Sequence, residues 1–464
     1  MATAGTAKLA PDADLYEVAQ KLGIEFFIVC FVDVFGVLRS KMVPAEAINF
    51  IQKEGAGFAP MATWHDYGPE CADMTAIPDA STLIQVPFQK DLGFVIGDLY
   101  IEGQKVQDSP RWVLKDVIAK AAAEGYEFKT GVEPEFFLLS EADILAISDT
   151  KDTERKPCYE TQALMRRYAV LKEIMNALNA AGFGIYQCDH EDANGQFEIN
   201  WHYSDCLTTA DRYVFFKFVA KTLAEKHGFK ATFMPRPFAE LTGSGCHCHC
   251  SLWKEGQNVF AQGNADSVPV DEEEFPAGVE KLGLSVLGCR FMGGVLTKAP
   301  AYCAMTNPTV NSYKRLAGAI TSSGSTWAPN RVSFSGNNRT NMVRVLPERF
   351  EVRLADGAVN PYLMPAILLA AGLWGLKTLP STKPFYFDPK VNMFLIPDDS
   401  PLIASVPRLP ANLLDALRSL EADPDMKDFL GEKMIASFLR LKKAEWKEYM
   451  AHLSSWELRN TLDC

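Results

Sequence analysis

Residues 25–43, EFFIVCFVDVFGVLRSKMV, are dense in β-branched and aromatic side chains and are interrupted by turn residues at 34–36. That pattern predicts a β-hairpin. A second apolar run, FVIGDLY at 94–100, predicts another strand. Polarity then changes at Asp108-Ser109-Pro110, where a capping residue followed by proline marks a helix start. This helix is expected to run to about residue 124 and to end at Gly125. Apolar spacings of three and four predict helices at 161–181 and 210–227, whereas 129–139, 196–201, 246–253 and 349–354 predict strands. The most apolar stretch, MPAILLAAGLWGL at 364–376, is too short to span a bilayer and contains Pro365, so it is expected to be a core helix. A proline-bearing loop at 389–410 precedes a helical segment at 412–456. Strands and helices do not alternate strictly, which points to an α+β fold. The change near residue 108 divides the chain into an N-terminal unit, 1–108, and a larger unit, 109–464.

Composition narrows the class. The chain has 464 residues, 48% hydrophobic and 22% charged, and a formal net charge of −12. These values describe an ordinary globular protein, and the acidity argues against a nucleic-acid partner. The opening MATAGTAKLAPDADL has no apolar segment of the signal-peptide kind. With 11 cysteines and no CxxC pair, reduced thiols in a cytoplasmic setting and no membrane partner are expected.

The acidic residues fall into patterns. In Gly131-Val132-Glu133-Pro134-Glu135-Phe136-Phe137 the two glutamates are two apart on a strand and share a face. Such a pair is either an exposed edge or a buried set that needs a cation, a shared proton or water. His190-Glu191-Asp192 and Gly195-Gln196-Phe197-Glu198 add further carboxylates, and Gly243-Ser244-Gly245-Cys246-His247-Cys248-His249-Cys250 adds two imidazoles. Oxygen-rich sets with an occasional imidazole suit Mg²⁺ or Mn²⁺. The CHCHC run suggests zinc, but alternation sends Cys and His to opposite faces, so core-facing cysteines are the better account. In Arg349-Phe350-Glu351-Val352-Arg353 the charged side chains share a face, either as an ion-pair ladder or as a metal ligand between oxyanion-binding arginines. Arginines recur at 315, 331, 339 and 344, and clustered arginines in an acidic chain suggest an anionic ligand such as ATP. No GxxxxGK[ST] loop or GxGxxG turn occurs.

GVEPEFF, HEDANGQFE, ATFMPRPF, GSGCHCHCSLW, NPTVNSYKRL and FEVRLADGAVNPYL, in this order over residues 130–365, resemble the glutamine synthetase superfamily. FVDVFG, DMTAIPD and DSPR extend the likeness toward the N-terminus. The resemblance implies a small β-grasp domain before a large catalytic domain. It also implies a homo-oligomer, a ring-stacked dodecamer with active sites between subunits. By matching position it implies two or more Mg²⁺ or Mn²⁺ ions. Glu135, Glu191 and Glu198 would hold the one on the glutamate side, and Glu133, His247 and Glu351 the one on the ATP phosphates. Gly243 and Arg315 would bind glutamate, and Arg331 and Arg353 the transferred phosphoryl group. His249, Ser251, Arg344 and Arg349 would contact ATP, with Arg331 also on its phosphates. The implied chemistry is phosphorylation of the glutamate γ-carboxylate to γ-glutamyl phosphate, followed by attack of an amine.

Two departures bear on the amine. The family's ammonium-binding aspartate is replaced by Ala59, and its flap glutamate by Thr321 near Trp327. Loss of both acids leaves a more apolar pocket, in which one buried methyl gains roughly 0.8 kcal/mol. Together with ATWHD, KPCYE, LMRRY and GNNRT, these departures resemble the branch that makes γ-glutamylmethylamide from glutamate and methylamine. A glutamine synthetase using ammonia and an inactive relative are the alternatives. Asp66 and Glu133 are the candidates for deprotonating the amine. No modifiable tyrosine of the adenylylation-loop kind is evident near 385–394, so no such regulation is expected.

Overall fold

A computed structural model describes residues 9–263, 275–317 and 321–464. Two sheets organise the chain. The first is built from Phe26–Val32, Leu38–Pro44, Ala56–Phe58, Met74–Pro78 and Leu92–Ile101, with two short strands beside the last. Phe26–Val32 and Leu38–Pro44 pair antiparallel, Phe26 opposite Pro44, which is the predicted hairpin. Phe26–Val32 also runs parallel to Leu92–Ile101, as a β-grasp arrangement requires. Its sequence lacks polar alternation because both faces are covered. Phe27, Val29 and Phe31 pack into a local core with Leu15 and Ala19 of the helix Leu15–Leu22. Cys30 and Val32 join Phe94 and Ile96 in the main core of the larger unit.

The second sheet runs in the order Phe334–Ser335, Val343–Leu346, Arg349–Val352, Cys246–Lys254, Glu127–Ser140, Gln196–Trp201 and Ile185–His190, with three short strands attached. Glu127–Ser140 is central and antiparallel to both neighbours. One face carries Phe128, Val132, Phe136, Phe350 and the three cysteines at 246, 248 and 250 into the main core. Residues of the helices Pro110–Ala123, Cys206–Lys226, Val286–Thr306 and Leu363–Thr378 complete that core. The last two helices cross so closely that a methyl on Gly294 would lie 2.1 Å from the Ala371 carbonyl oxygen. The apolar stretch around 364–376 is therefore a core helix, with Pro365 in its first turn, where a missing N–H costs nothing. Among the described residues no helix is long and apolar enough to cross a membrane.

Three elements differ from expectation. The helix at 161–181 is two, Thr161–Arg166 and Tyr168–Ala180, broken at Arg167 with φ −108° and ψ 8°. Arg166 reaches back to Asp149 and Arg167 to Ser148, so tertiary contacts override a continuous helical pattern. The segment at 412–456 is divided into Leu413–Ala422, Met426–Leu430, Glu432–Ala451 and a start at Ser455, interrupted near Pro424 and Gly431. The strand expected at 349–354 stops at Val352, and Arg353 continues beside it.

Candidate active site

Alternation on Glu127–Ser140 turns Glu133 and Glu135 away from the core, and the register brings partners to each. Glu133 lies opposite His247 on one side, and Glu135 lies opposite Glu198 on the other. His249 lies opposite Glu351 on the next strand. Ligand atoms of Glu133, His247 and Glu351 come within 4.8 Å of one another, and so do those of Glu135, Glu198 and His247. His247 Nδ1 is 3.5 Å from Glu351 and 3.7 Å from Glu133, while its Nε2 is 3.9 Å from Glu135. These separations are too long for hydrogen bonds. The imidazole stands between two carboxylate groups with room for an ion on each side.

The electrostatics point the same way. Burial and the nearby Glu135 and Asp189 push the Glu191 carboxyl well up, and burial with Glu191, Glu133 and Glu135 does the same to Glu198. Partial burial, with Glu135 and Glu133 nearby, pushes Asp189 up to about 6. Burial also raises Glu133, but the nearby imidazoles of His247 and His249 outweigh this and hold it well below the usual carboxylate range. Burial, with Arg353 nearby, pushes the His247 imidazole down, which favours the neutral form that ligates metals. Glu351 Oε2 is buried without an aligned hydrogen-bond donor. Converging carboxylates that repel one another, plus one imidazole, suit hard divalent cations. Glu135, Glu198 and His247 form the tight group, and Glu191, the third ligand expected with Glu135 and Glu198, lines the same cavity and accepts from the Asp192 backbone N–H at 2.9 Å.

That cavity, of about 600 Å³, is bordered by the carboxylates, Gly243, Arg315, Arg353 and Trp327. Gly245 lies close against these side chains: a methyl on it would lie 2.8 Å from His247 Nε2 and 3.0 Å from both Arg315 Nη2 and Glu135 Oε1. Arg315 is buried, and its Nη1 donates to the Leu354 carbonyl at 2.9 Å. Glu351 is held by Arg353 Nη1 at 2.6 Å, with Arg344 Nε 2.7 Å from its other oxygen. Glu351 thus makes the ion pair with Arg353 that the sequence pattern offered, and it also stands in the group with Glu133 and His247. Arg349 stands apart from that pair and donates to His249 Nδ1 at 3.3 Å, while His249 Nε2 is 3.1 Å from Glu133.

A second hollow, of about 420 Å³, adjoins the first, and Glu133 and Arg344 border both. His249, Ser251 and Arg349 line it with Tyr203 and Trp253. Basic and aromatic side chains beside a carboxylate cluster suit a nucleotide whose phosphates reach toward the cations. The cysteines at 246, 248 and 250 are fully buried on the opposite face, so the CHCHC run offers no joint zinc site.

Four expected residues lie elsewhere. The Arg331 guanidinium is turned toward the loop at 398–408, donating to the Val406 carbonyl at 3.1 Å and to Asp398 at 3.3 Å, and does not line the cavity. Arg339 lines it instead. Arg339 was legible only as one of several clustered arginines. Ala59 and Asp66 lie on the N-terminal unit, outside this chain's cavity. Asp66 is tied to Arg440 and its backbone carbonyl to Lys433, because the helix Glu432–Ala451 packs there. Thr321 sits behind the wall rather than on it, 3.3 Å from Thr242, while Ser323, Thr326 and Trp327 face the cavity. Tyr159 and Asp189 line the cavity as well; neither carried a role in the sequence pattern.

Comparison with known proteins agrees with this geometry. The glutamine synthetase catalytic domain matches residues 107–461. A glutamine synthetase of Rhizobium meliloti is 49% identical over 97% of this chain and 99% of its own length. A glutamate–methylamine ligase of Methyloversatilis universalis is 38% identical over 95% of this chain and 96% of its own. A solved GmaS/ADP complex superposes with a TM-score of 0.86 at 47% identity, covering 97% of this chain and 99% of that one. The chain belongs to the glutamine synthetase family and is an ATP-dependent ligase that forms carbon–nitrogen bonds.

Proposed function

We propose that the chain joins glutamate to methylamine, forming γ-glutamylmethylamide through γ-glutamyl phosphate. Members of the family use divalent metals and ATP. On this reading Glu133, Glu135, Glu198, His247 and Glu351, with Glu191 nearby, hold Mg²⁺ or Mn²⁺, which offsets the charge of the transferring phosphoryl group. Arg315 and the Gly243 backbone orient glutamate, and Arg339, Arg344 and Arg353 steady the phosphoryl oxygens. His249, Ser251 and Arg349 position ATP in the adjoining hollow.

One observation carries the choice of amine. The segment between Arg315 and Arg331 contains no acid, and it presents the Trp327 indole with Ser323 and Thr326 to the cavity. A loop that offers an indole and hydroxyls but no flap carboxylate suits a carbon-bearing amine better than ammonium. The 38% identical methylamine ligase and the GmaS structure support this reading. Ammonia is the second reading, favoured by the 49% identical relative called glutamine synthetase.

We also read residues 1–108 and 109–464 as the two domains, because the first sheet has a core of its own, although its other face joins the main core of the larger unit. A dodecamer is proposed in which a neighbouring copy supplies the Ala59 and Asp66 region. The exposure of Met61 and Trp64 there supports it, at 53% and 46%. Phosphate release with ammonia, methylamine, ethylamine and putrescine, at fixed glutamate and Mg-ATP, tests the function. Methylamine is expected to lead, and a clear preference for ammonia ends the proposal. Glu351→Ala is expected to reduce turnover about 100-fold or more.

A further inference from the structure

Three side chains converge on one oxygen beside the cavity. Asp192 Oδ2 accepts from Trp327 Nε1 at 2.7 Å, from Thr242 Oγ1 at 2.8 Å and from Ser323 Oγ at 2.5 Å. Thr321 extends the set, with its hydroxyl 3.3 Å from Thr242 Oγ1 and 3.0 Å from Ser323 Oγ. It also donates to the Ser325 carbonyl at 2.5 Å. Asp192 is buried at the cavity edge, and hydrogen bonds to its carboxylate are of the stronger, charge-assisted kind. Trp327 has a φ of +52°, a conformation that an aromatic residue keeps only when its surroundings impose it. Its indole N–H on Asp192 is such a constraint. Asp192 follows Glu191 in sequence, so the contact ties the turn bearing a candidate metal ligand to the facing loop.

We propose that Asp192 is a specificity-determining positioning residue: its carboxylate latches the loop at 321–327 and holds the Trp327 indole as a fixed wall of the amine pocket. This rests on reading the Trp327 side of the cavity as the amine side. The function of Asp192 is then to accept hydrogen bonds from neutral donors, not to act as counter-charge to an ammonium ion. A preset wall favours one amine size without waiting for a lid to close.

The test uses the full-length enzyme with Asp192→Ala, Asp192→Asn and Trp327→Phe. Steady-state kinetics with methylamine and with ammonia are read alongside backbone hydrogen exchange of residues 321–327. Asp192→Ala and Trp327→Phe are expected to lower the ratio of kcat/KM for methylamine over ammonia about 10-fold, mainly through the KM for methylamine. Both are expected to speed exchange in the loop. Asp192→Asn, whose amide oxygen still accepts, is expected to stay close to the parent enzyme. Equal damage from Asp192→Asn and Asp192→Ala would overturn the latch in favour of a charge role. Unchanged loop exchange in both Asp192→Ala and Trp327→Phe would also overturn it. Should the parent enzyme prefer ammonia, the proposed function falls, but loop exchange and the shift in ratio still decide the latch.

Discussion

His190 and Asp152 meet through a hydrogen bond of 2.6 Å in the interior, the imidazole fully buried. The other ring nitrogen lies 2.9 Å from the Glu191 carbonyl oxygen, and Asp152 also accepts from the Gly195 backbone N–H at 2.6 Å and from Asn194 Nδ2 at 2.9 Å. One carboxylate thus fixes the turn that leads from Glu191 to Glu198.

Asp152→Ala is expected to leave buried donors without an acceptor and to lower stability by about 3–5 kcal/mol. Asp152→Asn should cost less, because its carbonyl still accepts. Urea unfolding measures the loss. A raised Mg²⁺ requirement in the folded variant would register displacement of Glu191.

Arg331 and Arg339 should separate stability from catalysis. Arg331→Ala removes the ties to Val406 and Asp398, and is expected to cost about 1–3 kcal/mol of stability with kcat little changed. Arg339→Ala, at the cavity rim, is expected to cut kcat/KM with little change in melting temperature. The opposite assignment of the two effects would remove Arg339 from the proposed phosphoryl site.

Gly245→Ala places a methyl group between His247, Arg315 and Glu135 at 2.8–3.0 Å. Displacements approaching an ångström in reacting groups can cost about 100-fold in rate. The variant is expected to fold, to bind glutamate weakly and to lose turnover on that scale. Wild-type kinetics would mean that the neighbouring side chains yield without consequence.

Lys217 gives a pH dependence with a definite sign. Its ammonium donates to the Gly357 carbonyl at 2.9 Å over the rings of Tyr213 and Phe233, and burial pushes it down from 10.5 to about 8. Between these values the unfolded chain binds more protons, so this group makes stability rise with pH from about 8 to 10.5. The contribution is lost as pH falls through about 8. Thermal melts of the parent protein and Lys217→Met across that window should diverge accordingly. Parallel curves would contradict the shift.

Period-two alternation made much of the site legible. It paired Glu133 with Glu135, and it set His247 and His249 against the cysteines, because neighbouring side chains on a strand must take opposite faces. Arg331 and Arg339 were not separable in this way. Both lie in irregular backbone, and the direction of Arg331 is set by a loop some seventy positions later. The break at Arg167 depends on Asp149 and Ser148, outside any local helical pattern. The donors that meet on Asp192 come from residues 242, 323 and 327, so no single window of sequence contains them.

The strand Cys246–Lys254 alternates imidazole and thiol, and this makes its pairing with Glu127–Ser140 a chemical choice. A slip of one residue would turn sulfur toward Glu133 and Glu135 and drive both rings into the apolar interior. Such a misfolded isomer would present soft donors and capture thiophilic ions in place of hard ones. Fidelity of strand pairing during folding therefore decides which donor atoms stand beside Glu133 and Glu135.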